Sequence, residues 1–574
     1  MARERTVLAT YAPGEPLIRL FSPLAEGSDR IAAEVALAEG IRLEVPLPFL
    51  VDEYEKTFTE DVQAFRTLLA AARTEDGRPA VLALDGNRDG DAEAGYRAVG
   101  RFVVRNSDLL IAIWDGDHGK PGGTGEIVRY AVRSHVPVWW IDPTAVSAPR
   151  LLLGPMALER PTAAPTGTAA EATLDDLLRA AIRPPAPGRP YHHTRIGAAV
   201  HWLSGRLFPS RTPLSAYFAE AEEGVRPRPW RLYSWALNHI APEHDAALHV
   251  PPKGPAEPDD DVERPWREMY EAADRYGSKY TDRYRSSYVL VIALAALAVS
   301  AMGLALASPR LFGLPAGAIE FIALLAILGI VVASELRRWH ERWIAYRLLA
   351  ELCRKQRMLA RLGWSLPIAQ VAELARDPEQ NGPPADAWVA WYVMAMMRGA
   401  AVPHGTIAEH APRARHIGET VIATQTDYHK RRAGRSRIAA RRLVDLGELT
   451  FGATFVLVSL KLGVMVHALL HGTLAAAERS GTESWVGFAC TALAALSAGF
   501  VSLRAYAEFD LLHLQSARML HALAETKQEI EAIDPARPLA ASMLGAILHD
   551  LALAMLQDVQ GWSLLFRTKT PEPS

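Results

Sequence analysis

DLLIAIWDGDHGKPGGTGEIVRYAVRS, residues Asp108–Ser134, opens as a continuous apolar run, Leu109–Trp114. A short run of large apolar side chains bounded by polar residues is how a strand buried on both faces of a parallel sheet reads. Polar and glycine-rich residues follow, Asp115 to Gly125; Ile127, Val128, Ala131 and Val132 then recur at helical spacing. Strand, glycine loop, helix is an arrangement that binds phosphate. Glycines let a phosphate approach the backbone, and the first N–H groups and dipole of the helix favour an anion. The run is neither G-x-G-x-x-G nor a Walker A, since no Gly-Lys-Ser/Thr closes it. A plain tight turn would use the same glycines.

Four more apolar runs alternate with helical patterns around this one. Leu17–Phe21 leads through SPLAEGSDR into a helix over about Asp29 to Gly40. Ile41–Pro48 leads to YEKTF and a helix over Asp61–Arg73. Ala80–Leu84 leads to DGNRDG and a helix over Ala92–Val104, and Pro137–Ile141 comes last. The alternation predicts an α/β, Rossmann-like, doubly wound parallel sheet over residues 1–150. Ligands of such sheets sit at the carboxyl ends of the strands. Those ends are Ser22–Arg30, Leu47–Phe58, Leu84–Asp89 and Asp115–Glu126. Two of the loops, AEGSDR and GGTGE, precede a helix that can present an anion site. Asp29 also suits an N-cap. Glu126 falls in the first helical turn, where a carboxylate favours the dipole; its other roles are a general acid/base or an acceptor for a ribose hydroxyl.

Taken together, EGSDRIAAEVAL, VPLPFLVDEYEKTF, NSDLLIAIWDG and GGTGEIVRYA resemble the SLOG superfamily over roughly Leu17–Asp142. That Rossmann-like group includes the Lonely-guy phosphoribohydrolases and nucleotide sensors of bacterial defence systems. The resemblance implies a nucleotide site at Gly27, Ser28, Asp29, Gly122, Gly123, Thr124, Gly125 and Glu126, with Asp115 at the strand end. Arg30 and Lys120 are the basic residues nearest to it. The Lonely-guy enzymes carry PGGxGTxxE. In PGGTGE the Thr and Gly stand in another order and the Glu is closer, which favours a sensor over a phosphoribohydrolase.

The net charge of -3 indicates no bulk attraction to nucleic acid. Cys353 and Cys490 stand far apart and make neither a disulfide nor a metal pattern, so no metal and no cofactor is expected. The start, MARERTVLATYAPGEP, lacks the apolar core of a signal peptide, which places the first domain in the cytoplasm. At 574 residues the chain has room for three or four domains. Residues 151–264 read as a linker with short helices. Ala163–Ala186 is rich in Ala, Thr and Pro, Ala198–Leu207 and Trp230–His239 read as short amphipathic helices, and EPDDDVE at Glu257–Glu263 marks a boundary. His192, His193 and His201 read as surface histidines rather than metal ligands.

The second half carries long apolar runs. Ser286–Ser308 contains no charge, Leu314–Ser334 contains Glu320, Leu449–Leu470 contains Lys461, and Trp485–Leu503 contains no charge. Runs of this length span a bilayer, which predicts an all-α membrane region of four transmembrane helices in two hairpins. The first unit covers residues 265–380, the second residues 385–574 with C-terminal helices. Arg337, Arg338, Arg342 and Arg347 follow the second run, and seven basic residues between Lys430 and Arg442 precede the third. By the positive-inside rule both termini and the central segment are cytoplasmic. The units read as a duplication: approach helix, hairpin, long exit helix. The first exit has Trp343, Tyr346, Leu349 and Leu352 at helical spacing, as a packing stripe or an oligomer contact.

This plan, with WHERWIAYRLLAE, AWVAWYVMAMMRG and QTDYHKRRA, resembles the SLATT domains, SLOG-associated two-helix membrane effectors, over about Pro265–Ile530. The resemblance implies a pore-forming or membrane-perturbing, channel-like module of antiphage defence in the bacterial inner membrane, working as a homo-oligomer. Ionisable groups inside spans are costly and face a cavity or a partner. Glu320 and Lys461 are therefore expected to pair or to line an aqueous path, unless Glu320 snorkels to the outer surface.

The expectation is a membrane-anchored sensor–effector. A nucleotide second messenger, such as a cyclic nucleotide or an ADP-ribose derivative, binds the first domain and shifts the bundle in the lipid bilayer. One alternative is a membrane-tethered nucleotide hydrolase or glycosidase using Glu126 with Asp29 or Asp115. Another is a regulated transporter or structural membrane protein, although the bundle offers no broken-helix pair of the transporter kind.

Overall fold

Each of the five apolar runs becomes a strand in the computed structural model, which describes residues 18–59, 61–117, 119–144, 147–186, 212–223, 230–242, 261–373, 386–471 and 482–567. The strands are β1 (Arg19–Phe21), β2 (Arg42–Leu47), β3 (Val81–Ala83), β4 (Leu110–Ile113) and β5 (Val138–Ile141). Between them run α1 (Ser28–Ala38), α2 (Val51–Glu55), α3 (Val62–Ala71), α4 (Arg88–Arg105) and α5 (Thr124–Arg133). The helix-spaced apolar residues bury as their period requires. Phe65 and Leu68 of α3 pack with Leu43, Val45 and Leu47 of β2, while Val128, Ala131 and Val132 of α5 pack with Ala112, Val138 and Trp140.

The strands do not form one five-stranded sheet. β1, β2 and β3 pair in parallel, and a fourth parallel strand comes from much later in the chain: Gly405 and Thr406 pair with Leu82 and Ala83. β4 pairs in parallel with β5, which pairs antiparallel with β6 (Arg150–Leu152). No ladder among the described residues joins β1 to β4. Side-chain bonds work there instead. Arg19 donates to the carbonyls of Arg398 (2.6 Å) and Ala400 (3.0 Å), and Arg398 pairs with Asp108 (2.8 Å). β4 also departs from the expected burial on both faces. Ala112 is buried but Ile111 and Ile113 are exposed, because helix cover lies on one face only, that of Val128, Val132 and their neighbours.

Residues 151–264 are less of a linker than their composition suggests. α6 (Met156–Glu159) is followed by α7 (Gly167–Ile182), inside the stretch read as a surface segment; its Ala and Leu are strong helix formers. The Ala181 carbonyl accepts from Trp391 Nε1 and Arg398 Nη1, both at 3.1 Å. α8 (Pro213–Glu223) and α9 (Leu232–Ile240) dock on the helices that follow. Ala198–Leu207 and the three histidines lie outside the described residues.

The remainder is almost all helix: α10 (Arg264–Ala307), α11 (Pro309–Leu336), α12 (Trp339–Ala360), α13 (Ile368–Glu373), α14 (Ala387–Gly399), then, after β7 (Gly405–Thr406), α15 (Ile407–Leu470), α16 (Thr482–Ala507), α17 (Phe509–Glu531) and α18 (Ala540–Arg567). Among the described residues, five helical segments are long and apolar enough to cross a membrane. Four hold the apolar runs read from the sequence, in α10, α11, α15 and α16. They pack side by side in the order α11, α10, α16, α15, with small residues at the central contact: Gly303 meets Thr491 and Gly499 meets Ile292. They expose large apolar side chains such as Leu314, Phe321, Phe455, Leu462 and Val501. The fifth, in α18, differs. Leu548, Leu551, Ala552, Met555 and Leu556 are all buried in the main core.

That core is continuous from the strands to the helices. It includes Leu82, Leu84, Val99 and Phe102 of the α/β part together with Trp343, Leu349, Leu523 and Leu548. The exit-helix stripe Trp343, Tyr346, Leu349 and Leu352 is buried within the chain, so it packs the chain's own core.

Candidate functional site

The two glycine loops are each folded by their own side chains. Before α1, Ser22 Oγ donates to the Asp29 carbonyl (3.2 Å) and accepts from the Leu24 N–H (3.3 Å). Gly27, at φ 95°, is the N-cap; Ser28 opens the helix and Asp29 falls in its first turn, not at the cap. Glycine is favoured there because its φ is positive. Burial pushes the Asp29 carboxyl above its ordinary range, partly offset by the Ala25 N–H. Arg30 is buried. It donates through Nε to the Leu24 carbonyl (3.2 Å) and through Nη1 to the Asp61 carbonyl (3.0 Å), and its guanidinium lies 4.5 Å from the centre of the Phe58 ring. Its Nη2 has no partner among the described residues.

In PGGTGE, Gly122 has φ 74°, and a Cβ there would come within 2.7 Å of the Glu93 carbonyl oxygen on α4. The loop's close approach to α4 demands this glycine. Gly123 N–H donates to the Lys120 carbonyl (3.0 Å), and Thr124 and Gly125 open α5. Glu126 accepts from the Gly122 N–H (2.8 Å) and from Arg97 Nε (2.8 Å), with Arg101 at 3.5 Å. The Gly122 amide, then Arg97, hold its carboxyl below the usual range. A carboxylate so engaged closes the loop and stays ionised, which does not suit a general acid. Asp115 Oδ1 accepts from the Asp117 N–H (3.0 Å). Among the described residues no bond joins Glu126 to Asp29 or Asp115.

A third strand end is occupied by the protein itself. Asp85, just past β3, accepts the Ala541 N–H on Oδ2 (2.9 Å) and the Leu539 N–H on its carbonyl (2.9 Å), capping the start of α18. Further contacts fix the α/β part to the helices. Asn106 donates to the Gly363 carbonyl (2.9 Å), and a Cβ on Gly363 would overlap the Phe102 ring. The Arg105 guanidinium stacks 3.5 Å from the Trp364 ring centre, and burial lowers its pKa to about 10. Glu44 lies 2.8 Å from His404 Nε2, just before β7.

The sequence reading missed a polar cavity of about 210 Å³ enclosed by α10, α12, α15, α17 and α18. Lys355, fully buried, donates to Glu351 Oε2 (3.2 Å) and to the Glu351 carbonyl (3.3 Å). Arg347 (2.9 Å) and Arg354 (3.2 Å) reach the same carboxylate. Burial opposes ionisation of Glu351, but Arg354, Lys355 and Arg347 outweigh it and hold the carboxyl well below the usual range. Burial, with Arg432 next, lowers His429 to about 4, so its imidazole is neutral at neutral pH. The signal was present in the sequence. Arg347, Glu351 and Lys355 stand at i, i+4, i+8 on the helix that carries Trp343 and Tyr346, and charges on a largely apolar helix are a buried network or a site.

The two charges within the apolar runs, Glu320 and Lys461, stand apart. No ion pair joins Glu320 to Lys461; Lys461 on α15 instead approaches Gly487 on α16. Among the described residues no cluster of His, Cys, Asp and Glu is placed to hold a metal ion. No protein-family model, curated protein or solved structure matches the chain.

Proposed function

We propose that the protein is a membrane-anchored nucleotide sensor–effector: a Rossmann-like, SLOG-type domain in the cytoplasm takes a nucleotide-derived messenger and controls a membrane-permeabilising bundle. One observation carries the reading. β7 completes the parallel sheet of the first domain and runs without interruption into α15, a 64-residue helix whose far end is an apolar segment. A displacement at the sheet edge would thus reach a span through one continuous helix, roughly 96 Å at 1.5 Å per residue, with Pro412 in its second turn. Four of the apolar segments cross the bilayer, while α18 stays in the cytoplasm because its apolar face is already covered by protein. Trp230 and Trp235, exposed beside Ser286 at the start of the first span, mark the interface. The Gly27 and Gly122–Gly125 loops precede helix N-termini that favour phosphate, and the unpartnered Arg30 Nη2 adds a donor nearby.

The test uses the full chain in dye-loaded liposomes, with linear and cyclic nucleotides, ADP-ribose and cyclic ADP-ribose. One of them is expected to raise the melting temperature and trigger leakage without being consumed. Gly123→Asp, whose side chain would press on the Lys120 carbonyl, should lose both responses. Asp85→Ala should keep the stabilisation and lose the leakage. Consumption of the nucleotide would move the hydrolase to first place. Silence across the panel from folded protein would overturn the nucleotide reading.

A further inference from the structure

The cavity described above joins the two duplicated units. Arg285 comes from α10 and Lys355 from α12, both in the first unit; His429 and Arg432 come from α15 and Asp558 from α18, in the second. Its lining holds four cations, Arg285, Arg347, Lys355 and Arg432, to three carboxylates, Asp282, Glu351 and Asp558, and Arg347 also lies 3.6 Å from Asp274. Glu351 is shared by Arg347, Arg354 and Lys355. Arg285 and Arg432 have no carboxylate within ion-pair distance among the described residues. Arg285 faces the rings of Tyr233 (5.1 Å) and Trp343 (5.5 Å), and Arg432 faces that of Tyr428 (5.7 Å). The other carboxylates of the lining are Asp282, whose charge Arg285 favours, and Asp558, whose charge Arg432 and Lys355 favour. Burial pushes both upward, so each favours its neutral form more than a free carboxyl does.

A second feature of the lining bears on what fills it. His429 is 4% exposed, lines the cavity, and has no partner for Nδ1 among the described residues. An unmet buried ring nitrogen is destabilising when nothing fills the space. Arg285 and Arg432, half-buried and without a carboxylate at ion-pair distance among the described residues, add positive charge to the same space. Both are relieved by one occupant, an anion with several acceptor oxygens.

The geometry points to a binding site for a phosphate-bearing anion that bridges α10 and α12 to α15 and α18. Phosphate fits because planar guanidiniums donate to its oxygens in pairs and a neutral imidazole N–H can supply a third direction. Arg285 immediately precedes the apolar run that starts at Ser286, whereas roughly 25 Å of helix separates Arg432 from Leu449. The site therefore reaches from the foot of the first span deep into the polar bundle. A free phosphate compound and a lipid headgroup present the same chemistry to it. With the anion bound, the two units are held together; without it, Arg285 and Arg432 leave like charges facing one cavity.

The test melts the full chain in detergent with potassium phosphate against potassium chloride at equal ionic strength. A parallel arm compares phosphatidylcholine nanodiscs with and without phosphatidylglycerol. Phosphate is expected to stabilise beyond chloride. Arg432→Gln should weaken that effect roughly tenfold in apparent affinity, while the phosphate-free protein stays as stable or gains. Asp558→Asn should shift the effect the other way, to tighter binding. This opposite sign keeps the test decisive if Arg432→Gln fails to fold. A phosphate effect that Gly123→Asp removes and that Arg432→Gln and Asp558→Asn leave untouched belongs to the glycine loops and overturns the proposal. A response to phosphatidylglycerol alone, with the same variant dependence, identifies the source as lipid. Equal stabilisation by chloride, or indifference to both Arg432→Gln and Asp558→Asn, overturns the proposal.

Discussion

Glu126 and His429 show how far a residue's type alone can mislead. A glutamate after a glycine loop suggests catalysis, yet Glu126 spends its two oxygens on Gly122 and Arg97. A histidine in a basic run, DYHKRR, suggests solvent, yet His429 is buried. Its ring titrates at about 4, below its ordinary 6.5, so on acidification the unfolded chain takes the proton first. Stability therefore falls as pH drops from 6.5 towards 4, by on the order of 2 kcal/mol. Thermal melts of the full chain across that window should show the slope, and His429→Asn should flatten it. An unchanged slope in the variant would place the titration elsewhere. The i, i+4 spacing of Arg347, Glu351 and Lys355 was legible in the sequence. That they share a cavity with Arg432 and Asp558 was not, because those residues come from helices far apart in the chain.

At the scale of elements the two apolar helix pairs end in the same kind of turn. Between α11 and α12 the chain turns through Arg338 at φ 49°, and between α16 and α17 through Glu508 at φ 50°. Both lie in the left-handed region, which side chains other than glycine enter at a cost of roughly 1–2 kcal/mol. Each break falls where an apolar helix gives way to its polar exit helix. Arg338→Gly and Glu508→Gly should be tolerated, whereas Arg338→Val and Glu508→Val should each destabilise by about 1–2 kcal/mol, measured by chemical denaturation in detergent. Equal effects of Gly and Val would show that the turn carries no strain. The strands were legible element by element because short apolar runs between helical patterns leave few alternatives. α7 was hidden by its Ala, Thr and Pro composition, and α18 by an apolar stripe that lacks a long charge-free run.

At the scale of the whole molecule the first domain is not separable. Leu82, Val99 and Phe102 belong to the same core as Trp343 and Leu548, and β3 takes its outer partner from residues 405–406. A fragment ending at Arg150 would bare that face and leave an open parallel edge. It should bind a hydrophobic dye and self-associate in size exclusion; a monodisperse, cooperatively melting fragment would contradict the shared core. The same continuity ties the α/β part to the helices through Asp85, Gly363 and β7.

The sequence by itself determined the local facts. Strand and helix positions, the glycine loops, and the four longest apolar segments all follow from hydrophobic period, turn chemistry and run length, which act over a few residues. Tertiary structure decided which strands pair, that β7 closes the sheet from far along the chain, that α18 is covered by protein, and that charges from two units meet in one cavity. These depend on contacts between residues hundreds of positions apart, where no local pattern records which surface an edge, a stripe or a charge will meet.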